Sequence, residues 1–328
     1  MLFGKKDSKR KFTRLLFATD VHGSEITFKK ILNSAKLYKV SVVILGGDVT
    51  GKMIIPIVQQ KNGSYNAELL GEKWTVNGRD QLERLEEKIG ILGFYPSYTT
   101  EEELHGTQKE EVDKLFLKLM TERLESWLKT AEERLSHTGI KFYMTGGNDD
   151  PVQVEDIIRR SRFAADPENE VVDVNGYEMI SLGYSNRTPW KTPRELDEEE
   201  LGEKIDALVS RVNDVHSCIF NIHVPPLESG LDECPLLDTS VYPPRPVIKG
   251  GVPVYAGAGS SAVRKAIENY QPLLGLHGHI HESRGEATIG KTICINPGSE
   301  YGEGILRAAL LNLSTEGKTL LSSQFISG

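Results

Sequence analysis

Five short segments of this sequence end in side chains of the types that bind metal ions. Each segment follows an apolar run that predicts a β-strand, and together they supply two aspartates, one asparagine and four histidines: Asp20, His22, Asp48, Asn148, His223, His279 and His281. Few chemistries other than metal binding call for so many such groups at strand ends. We therefore expect a metal centre at one edge of a sheet.

The spacing of these residues predicts two cations. Asp20 and His22 are two residues apart in sequence, as are His279 and His281. The side chains of each pair can therefore bind metal just beyond the end of a strand. A carboxylate at Asp48 can bridge two ions. Mixed nitrogen and oxygen ligands without thiolates favour Mn, Fe, Zn, Co or Ni, and of these we favour manganese. Two ions about 3.5–4 Å apart can hold a bridging hydroxide and clamp a phosphoryl group for in-line attack.

Each motif taken alone has a plainer interpretation. An Asp-x-His or His-x-His pair arises often by chance, and a Gly-Asp dipeptide carries almost no information. Asn148 beside Asp149 fits an ordinary turn. Chance alone is a poor explanation for all of these motifs in one chain, each at a strand end. We therefore favour a site for two metal ions over a separate explanation for each motif.

The elements that position these residues predict an α/β fold. Continuous apolar runs predict buried strands at 15–19, 42–45, 141–145, 217–222 and 273–276. Further strands and helices are expected between and after them, with strands at 171–174, 177–182, 292–295, 306–313 and 320–325, and helices at 23–39, 152–160, 195–212 and 260–270. Ligands bind at the carboxyl ends of strands in such sheets, which is where the candidate residues lie.

Residues 52–140 look like an insertion into a core that spans 13–51 and 141–328. The dipeptide Asn62-Gly63 predicts a hairpin turn. The segments on either side of it predict two strands, a third strand and two helices, at 54–58, 65–70, 74–76, 79–91 and about 101–136. We expect the insertion to cap the site or to form an interface, for example between copies of the chain. Residues 227–250 predict a long Pro-rich loop.

Composition narrows the class of protein. The chain has 328 residues, 39 Lys and Arg against 47 Asp and Glu, and a net charge of -8. This charge argues against a broad nucleic-acid-binding surface, although it leaves room for a local basic patch. An odd count of three cysteines fits buried free thiols in a reducing cytoplasm. Residues 1–12 are a basic tail without the apolar stretch of a signal, and no segment reaches membrane-spanning length.

The order D-x-H, G-D, G-N-x-D, H, G-H-x-H, which spans residues 20 to 281, resembles the signature of the calcineurin-like metallophosphoesterases. The chain looks most like the small phosphoesterase-like members of bacteria and archaea. The resemblance implies a four-layer fold, in which two mixed β-sheets pack as a sandwich flanked by helices. It also implies two metal sites with one shared ligand, the first at Asp20, His22, Asp48 and His281, and the second at Asp48, Asn148, His223 and His279.

One departure from the family pattern affects catalysis. The family usually has a histidine where this chain has Asp149; that histidine contacts the substrate phosphate and is a candidate to protonate the leaving group. Asp150 occupies the position of the carboxylate that, in the family, orients this histidine. Loss of such an acid typically lowers the rate by ~10²–10⁴. A carboxylate at Asp149 would repel a dianionic monoester more than a diester, unless it is a neutral acid or an outer ligand.

These observations predict a dimetal-dependent phosphohydrolase that prefers phosphodiesters, with a phosphorylated small molecule or a nucleotide-type diester as substrate. Asp149 and Asp150 are the candidate catalytic residues, and water or Asp149 would assist the leaving group. Asn148, Asp149 and Arg187 are the candidates for substrate binding. The alternatives are a weakly active or inactive scaffold on the same fold, which the change at Asp149 favours, and a nuclease of the same superfamily.

Overall fold

The first of two central β-sheets has six strands. The structure is a computed structural model that describes residues 11–328, so all but the last two residues of the predicted basic tail lie outside the described residues. The strands, in chain order, are β1 (Phe12–Ala18), β2 (Val42–Gly46), β7 (Lys141–Thr145), β8 (Ala164–Ala165), β23 (Arg307–Ser314) and β24 (Leu320–Ser327). Their order in the sheet is β24-β23-β1-β2-β7-β8. Strands β1, β2, β7 and β8 are parallel, whereas β23 and β24 run antiparallel to their neighbours.

The second sheet also has six strands and is mixed. Its members are β9 (Val171–Val174), β10 (Tyr177–Leu182), β13 (Ile219–Ile222), β20 (Leu274–Leu276), β21 (Gly285–Ile289) and β22 (Thr292–Asn296). Their order is β21-β22-β20-β13-β10-β9. The central strands β10, β13, β20 and β22 are parallel, so their carboxyl ends meet at one edge of the sheet.

Apolar side chains of the two sheets face each other and form the middle of the core. Leu15, Phe17 and Ile44 from the first sheet pack against Met179 and Leu276 from the second. Helices cover the two outer faces: α1 (Glu25–Leu37), α4 (Lys109–Leu135) and α5 (Gln153–Arg159) lie on the first sheet, and α6 (Glu198–Val209) and α7 (Ser261–Tyr270) on the second. The predicted sandwich of two mixed sheets flanked by helices is confirmed.

The segment after β2 forms a small sheet with its own core. It consists of β3 (Ile54–Gln59), β4 (Tyr65–Leu69), β5 (Glu72–Val76), α2 (Arg79–Ile91) and β6 (Tyr95–Thr100). The predicted hairpin joins β3 to β4, and Asn62 accepts hydrogen bonds from Ser64 in its turn. Strand β6, which no local pattern indicated, pairs in parallel with β3. Ile57, Leu85 and Ile89 are among the buried side chains of this subdomain.

The prediction of one helix from about 101 to 136 is wrong, because the chain breaks at Thr107 and Gln108. The first piece is α3 (Glu101–Gly106), which begins with a capping box at Thr100. Thr107 is extended, and Gln108 starts α4 with a second capping box to Glu111. The carboxylate of Glu111 accepts the backbone N–H of Gln108 and so favours the start of a new helix at this point. Helix α4 then packs in the main core, where Trp127 stacks on Phe28.

Short strand pairs replace much of the predicted irregular loop between β13 and α7. They are β14 (Glu233–Pro235), β15 (Leu237–Asp238), β16 (Arg245–Pro246), β17 (Ile248–Lys249), β18 (Val252–Pro253) and β19 (Tyr255–Gly257), while β11 (Ser185–Asn186) pairs with β12 (Glu195–Leu196) before α6. Three 3-10 turns complete the fold, at Ser136–Thr138, Val215–Ser217 and Tyr301–Glu303. Across residues 11–328, no helix combines the length and apolarity needed to cross a membrane.

Candidate metal centre

The seven candidate ligands gather where the parallel strands of both sheets end. Strands β1, β2 and β7 of the first sheet lead into the segments with Asp20 and His22, Asp48, and Asn148. Strands β13 and β20 of the second sheet lead into those with His223, and with His279 and His281. Asp20, His22, Asp48, Asn148 and His223 are buried, whereas the other two are half-buried. The cluster therefore lies inside one edge of the sandwich and opens on the side of the last two histidines.

Asp48 lies between two groups of side chains. Its Oδ2 is 3.6 Å from His22 Nε2 on one side and 3.4 Å from His223 Nε2 on the other. On the first side, His22 Nε2 and His281 Nε2 are 3.0 Å apart, and His281 Nε2 is 3.4 Å from Asp20 Oδ1. These contacts give Asp48 the central position that a bridging carboxylate needs.

The second group contains the amide and the remaining imidazole. His279 Nδ1 is 2.7 Å from Asn148 Oδ1, and the rings of His223 and His279 meet edge to face, 5.6 Å apart. Within residues 11–328, three sets of buried or half-buried groups have ligand atoms within 4.8 Å of one another: Asp20, His22 and His281; Asp20, Asp48 and His223; and His22, Asp48 and Asp149. The sequence-predicted ligands therefore meet in one cluster.

Unpartnered ring nitrogens in the cluster suit a metal ion. His223 Nδ1 lies 3.0 Å from the carbonyl oxygen of Gly46, which accepts a hydrogen bond only from the protonated nitrogen. The other nitrogen, Nε2, is buried without a hydrogen-bond partner and faces the carboxylates, and His22 Nδ1 is also buried without one. A backbone carbonyl that fixes the ring so that a lone pair points inward is the usual arrangement behind a metal-binding histidine.

Charge in the cluster also calls for a cation. Burial alone would raise the pKa of Asp20 and Asp48, but His223 beside them holds each pKa below its usual range. Burial would lower the pKa of His223, yet the two carboxylates raise it to about 10. Burial lowers the pKa of His279 to about 4, so this ring is neutral at pH 7, as a metal-binding imidazole has to be. The two carboxylates thus favour a positive charge beside them, which a metal ion would supply in place of a proton on His223.

The backbone of the cluster is strained. Four of the seven candidate ligands have positive φ, namely Asp20 at 53°, His22 at 41°, Asp48 at 49° and His279 at 66°. Such left-handed conformations cost about 1–3 kcal/mol each in residues other than glycine. They persist because the sharp turns after the strands aim these side chains at one another, and strain of this kind concentrates at functional sites.

A glycine is required next to Asn148. A Cβ at Gly147 would lie 2.2 Å from Asp48 Oδ1 and 2.3 Å from the Asp48 backbone nitrogen. Neither atom can retreat, since Asp48 Oδ1 already accepts a hydrogen bond from the backbone N–H of Asp149 at 2.9 Å. The absence of a side chain at Gly147 therefore allows the segments that follow β2 and β7 to contact each other.

Asp150, predicted as a catalytic residue, points away from the cluster into the protein. Its Oδ1 accepts hydrogen bonds from the backbone N–H and the hydroxyl of Thr50, and its Oδ2 from the N–H groups of Val49 and Gly147. Four donors occupy this fully buried carboxylate, so it braces the two loops that carry Asp48 and Asn148. Burial is the main cause that raises its pKa.

Asp149 lies at the open side of the cluster and has a partner that sequence reasoning missed. Its Oδ2 is 2.6 Å from Lys52 Nζ and 3.9 Å from His22 Nδ1. Lys52 comes four residues after Asp48, at the start of the predicted insertion, where nothing in the local sequence distinguishes it from a surface lysine. Only the turn after β2 brings it back over the site.

Arg187, predicted to reach a phosphate oxygen, forms an exposed ion pair with Asp197, with Nε and Oδ1 2.9 Å apart. The arginine that supports the site is Arg194, which is fully buried. Its backbone N–H donates to the Asn148 carbonyl, and its Nε donates to the Asp150 carbonyl. Sequence reasoning missed this residue, because burial of an arginine depends on partners distant in the chain.

Two other contacts position the cluster. Asn148 donates from Nδ2 to the hydroxyl of Thr192 at 2.9 Å, which orients its amide oxygen toward His279. The ring of Tyr301 packs on His22 with centroids 4.6 Å apart. Tyr301 begins the last 3-10 turn of the fold, and sequence reasoning missed it.

Sequence comparison with known proteins finds one partial relative and no family. No family model matches the sequence. An uncharacterized protein of Methanocaldococcus jannaschii is 30% identical over 153 residues, which make up 46% of this chain and 61% of that protein, so the match spans less than two thirds of the relative.

Solved structures align over nearly the whole chain. One crystal structure has a TM-score of 0.54 at 13% identity and covers 96% of this chain and 98% of its own. The protein TT1561 of Thermus thermophilus has a TM-score of 0.50 at 11% identity, with coverage of 97% and 98%. At such low identities the similarity is one of fold alone. That fold is a sandwich of two mixed β-sheets flanked by helices, and in this chain it carries a cluster of Asp and His side chains that could hold metal.

Proposed function

We propose that this protein is a metal-dependent phosphohydrolase that acts on phosphodiesters. The observation that carries the proposal is the convergence of seven ligand-type side chains where the parallel strands of the two sheets end, with Asp48 Oδ2 3.6 Å from His22 and 3.4 Å from His223. A central carboxylate between two sets of nitrogen and oxygen ligands is the arrangement expected for two divalent ions, of which we favour manganese.

The proposed ligand sets follow the two sides of Asp48. Asp48 would contribute to both sites. Asp20, His22 and His281 would complete the first site, and Asn148, His223 and His279 would complete the second. When bound, two such ions offset the charge of phosphoryl oxygens and lower the pKa of water so that it can attack phosphorus. The unpartnered Nε2 of His223, aimed inward by Gly46, supports this assignment.

The chain's own residues would orient the reaction. Thr192 and His279 hold the Asn148 amide, and Asp150 holds the loops on either side of it. Asp149 stands at the open side, where a leaving group would depart. Burial raises the pKa of its carboxyl to about 6, while the ion pair with Lys52 opposes this shift, so the ionised form prevails at pH 7. We therefore assign protonation of the leaving group to water, with Asp149 as the alternative donor.

The preference for diesters follows from charge at the open side of the site. The Lys52 ammonium there already contacts Asp149, with Nζ and Oδ2 2.6 Å apart. A phosphoryl oxygen that approaches has to share this ammonium with the carboxylate. A monoester brings a second negative charge to that shared cation, whereas a diester brings one. The like charges of Asp149 and the substrate therefore disfavour the monoester more.

The test is hydrolysis of bis-p-nitrophenyl phosphate and p-nitrophenyl phosphate with added Mn²⁺. We expect faster turnover of the diester, dependence on the metal, and loss of turnover in Asp48→Asn. Asp80→Asn, a substitution of an exposed aspartate in α2, is the matched control and should behave as wild type. Tight binding of two ions without any turnover would overturn the proposal and favour a scaffold role.

A further inference from the structure

Lys52 is the cation that the chain itself brings to the cluster. In the described part of the chain, residues 11–328, the ion pairs of Asp20 and Asp48 involve only histidines, whereas Asp149 pairs with Lys52 at 2.6 Å. Two other basic residues of the region are bound elsewhere, since Arg194 lies buried beneath the Asn148 loop and Arg123 contacts Glu25 and the Gly23 carbonyl. The ammonium of Lys52 is thus the positive charge at the open side.

The backbone before Lys52 is tightly held. Asp150 binds the N–H groups of Val49 and Thr50, and the hydroxyl of Tyr95 accepts from the N–H of Gly51 at 2.8 Å. A Cβ at Gly51 would lie 1.9 Å from the Gly93 carbonyl oxygen, so the loop packs directly on the segment before β6. The base of Lys52 therefore has a defined position beside the cluster.

The side chain of Lys52, in contrast, retains access to solvent. It is 42% exposed, while that of Asp149 is 19% exposed. An exposed ion pair of this kind contributes little to stability, about 0–1 kcal/mol, so stability alone gives no reason to hold a lysine here. An ammonium group with three donors can keep one contact with Asp149 and direct another to an anion over the cluster.

We propose that Lys52 is a substrate-binding residue that contacts a non-bridging phosphoryl oxygen of the substrate, with Asp149 as the positioning residue that holds its ammonium over the site. The inference rests on the proposed phosphohydrolase function for the identity of its ligand. It assigns recognition of the phosphoryl group to a residue at the start of the β3–β6 subdomain, so this subdomain contributes to the site directly.

The experiment measures binding of inorganic phosphate, by titration calorimetry, to Mn²⁺-loaded wild type, Lys52→Met and Lys52→Arg. Lys73→Met, which removes an exposed lysine on β5, is the matched control. Lys52→Met should weaken phosphate binding at least about tenfold, as expected for loss of a charge-assisted hydrogen bond. Lys52→Arg should retain most of the affinity, since it keeps the charge, and the control should bind like wild type.

A second titration, of Mn²⁺ into the metal-free proteins, separates substrate contact from a structural role. We expect Lys52→Met to bind Mn²⁺ as tightly as wild type or more tightly, because Asp149 is then free to turn to the ions. Weaker Mn²⁺ binding in both Lys52 variants would instead assign Lys52 to the support of the cluster and overturn the inference.

The outcomes distinguish this inference from the proposed function. Equal phosphate affinity of wild type and Lys52→Met would overturn the inference even if wild type hydrolyses diesters. Selective loss of phosphate binding in Lys52→Met, in a protein without turnover, would support the inference while the hydrolase proposal fails. A wild-type protein that binds Mn²⁺ but no phosphate would overturn the inference.

Discussion

The carboxylate of Asp150 and the hydroxyl of Thr50 lie 2.6 Å apart, and this contact ties the loop after β2 to the loop after β7. The same carboxylate accepts the backbone N–H groups of Val49, Thr50 and Gly147. One buried side chain thus determines the separation of Asp48 and Asn148. Its role depends on two charged oxygens that each accept two hydrogen bonds.

Asp150→Asn should therefore weaken both the fold and metal binding. The new amide nitrogen would face either the N–H groups of Val49 and Gly147 or the N–H and hydroxyl of Thr50, so at least one buried N–H donor would lose its acceptor. This loss should lower the free energy of unfolding by roughly 2–4 kcal/mol. Urea unfolding and Mn²⁺ titration measure the two effects. Asp156→Asn, at an exposed position on α5, is the control and should change neither. An unchanged Mn²⁺ affinity in Asp150→Asn would show that the loops do not need this brace.

Gly147→Ala should act on the cluster without removing a ligand. The added methyl group would lie 2.2 Å from Asp48 Oδ1, so the β2 and β7 exits must separate. We expect a loss of about 1–3 kcal/mol in stability, as for other overpacked sites, together with weaker Mn²⁺ binding.

Gly106→Ala provides the comparison for this substitution, since a Cβ at the end of α3 meets open space. It should leave the free energy of unfolding and the Mn²⁺ affinity near those of wild type. Equal behaviour of the two alanine variants would contradict the close approach at Gly147.

Substitution of Trp127 tests whether α4 belongs to the main core. Its ring stacks on Phe28 with centroids 4.2 Å apart and an interplanar angle of 4°, and it is buried. Trp127→Ala should lower the free energy of unfolding by about 3–5 kcal/mol, the cost of a large cavity. Trp127→Phe should cost much less, because the indole nitrogen has no hydrogen-bond partner to lose.

Urea denaturation monitored by circular dichroism measures these changes. Trp190→Ala, at a position that is 55% exposed, is the control and should shift the free energy of unfolding by less than about 0.5 kcal/mol. A small effect of Trp127→Ala would mean that α4 docks weakly and that the main core is complete without it.

Glu168 should make stability fall as pH rises. Burial raises the pKa of this carboxyl from 4.5 to about 8, although nearby Arg194 opposes the shift. Between these two values the folded protein holds a proton that the unfolded chain releases. The stabilising contribution is therefore complete below pH 4.5 and is lost as pH rises through about 8.

Glu168→Gln should remove this dependence, because the amide does not titrate and can still accept the N–H of Gly183. The stability of wild type relative to the variant should decline between pH 5 and 8, by at most about 1.4 kcal/mol per pH unit. Unfolding in saturating Mn²⁺ at several pH values gives this difference, in which the shared pH dependence of metal binding cancels. Parallel curves for the two proteins would refute the role of Glu168.

The sequence alone determined the fold class and the seven residues that meet in the cluster. Asp48 and His223 each follow a continuous apolar run, and the strand end at which each lies is a local property that the sequence shows. The two residues belong to different sheets, however, because β2 and β13 do not share a sheet, so the packing of one sheet on the other brings them together. The hairpin turn at Asn62-Gly63 was also predictable, since it depends on residues within four positions.

Only the tertiary structure decided which further residues join the site. Lys52 and Arg194 carry no local mark of their roles, and each acts through partners that the fold brings together from elsewhere in the chain. The sequence motif singled out Asp150, but its contacts with the loop after β2 are visible only in the structure. The parallel pairing of β6 with β3 and the docking of α4 on α1 are likewise long-range choices. Sequence periodicity reports which face of an element is apolar, whereas the partner of that face depends on the packing of the whole chain.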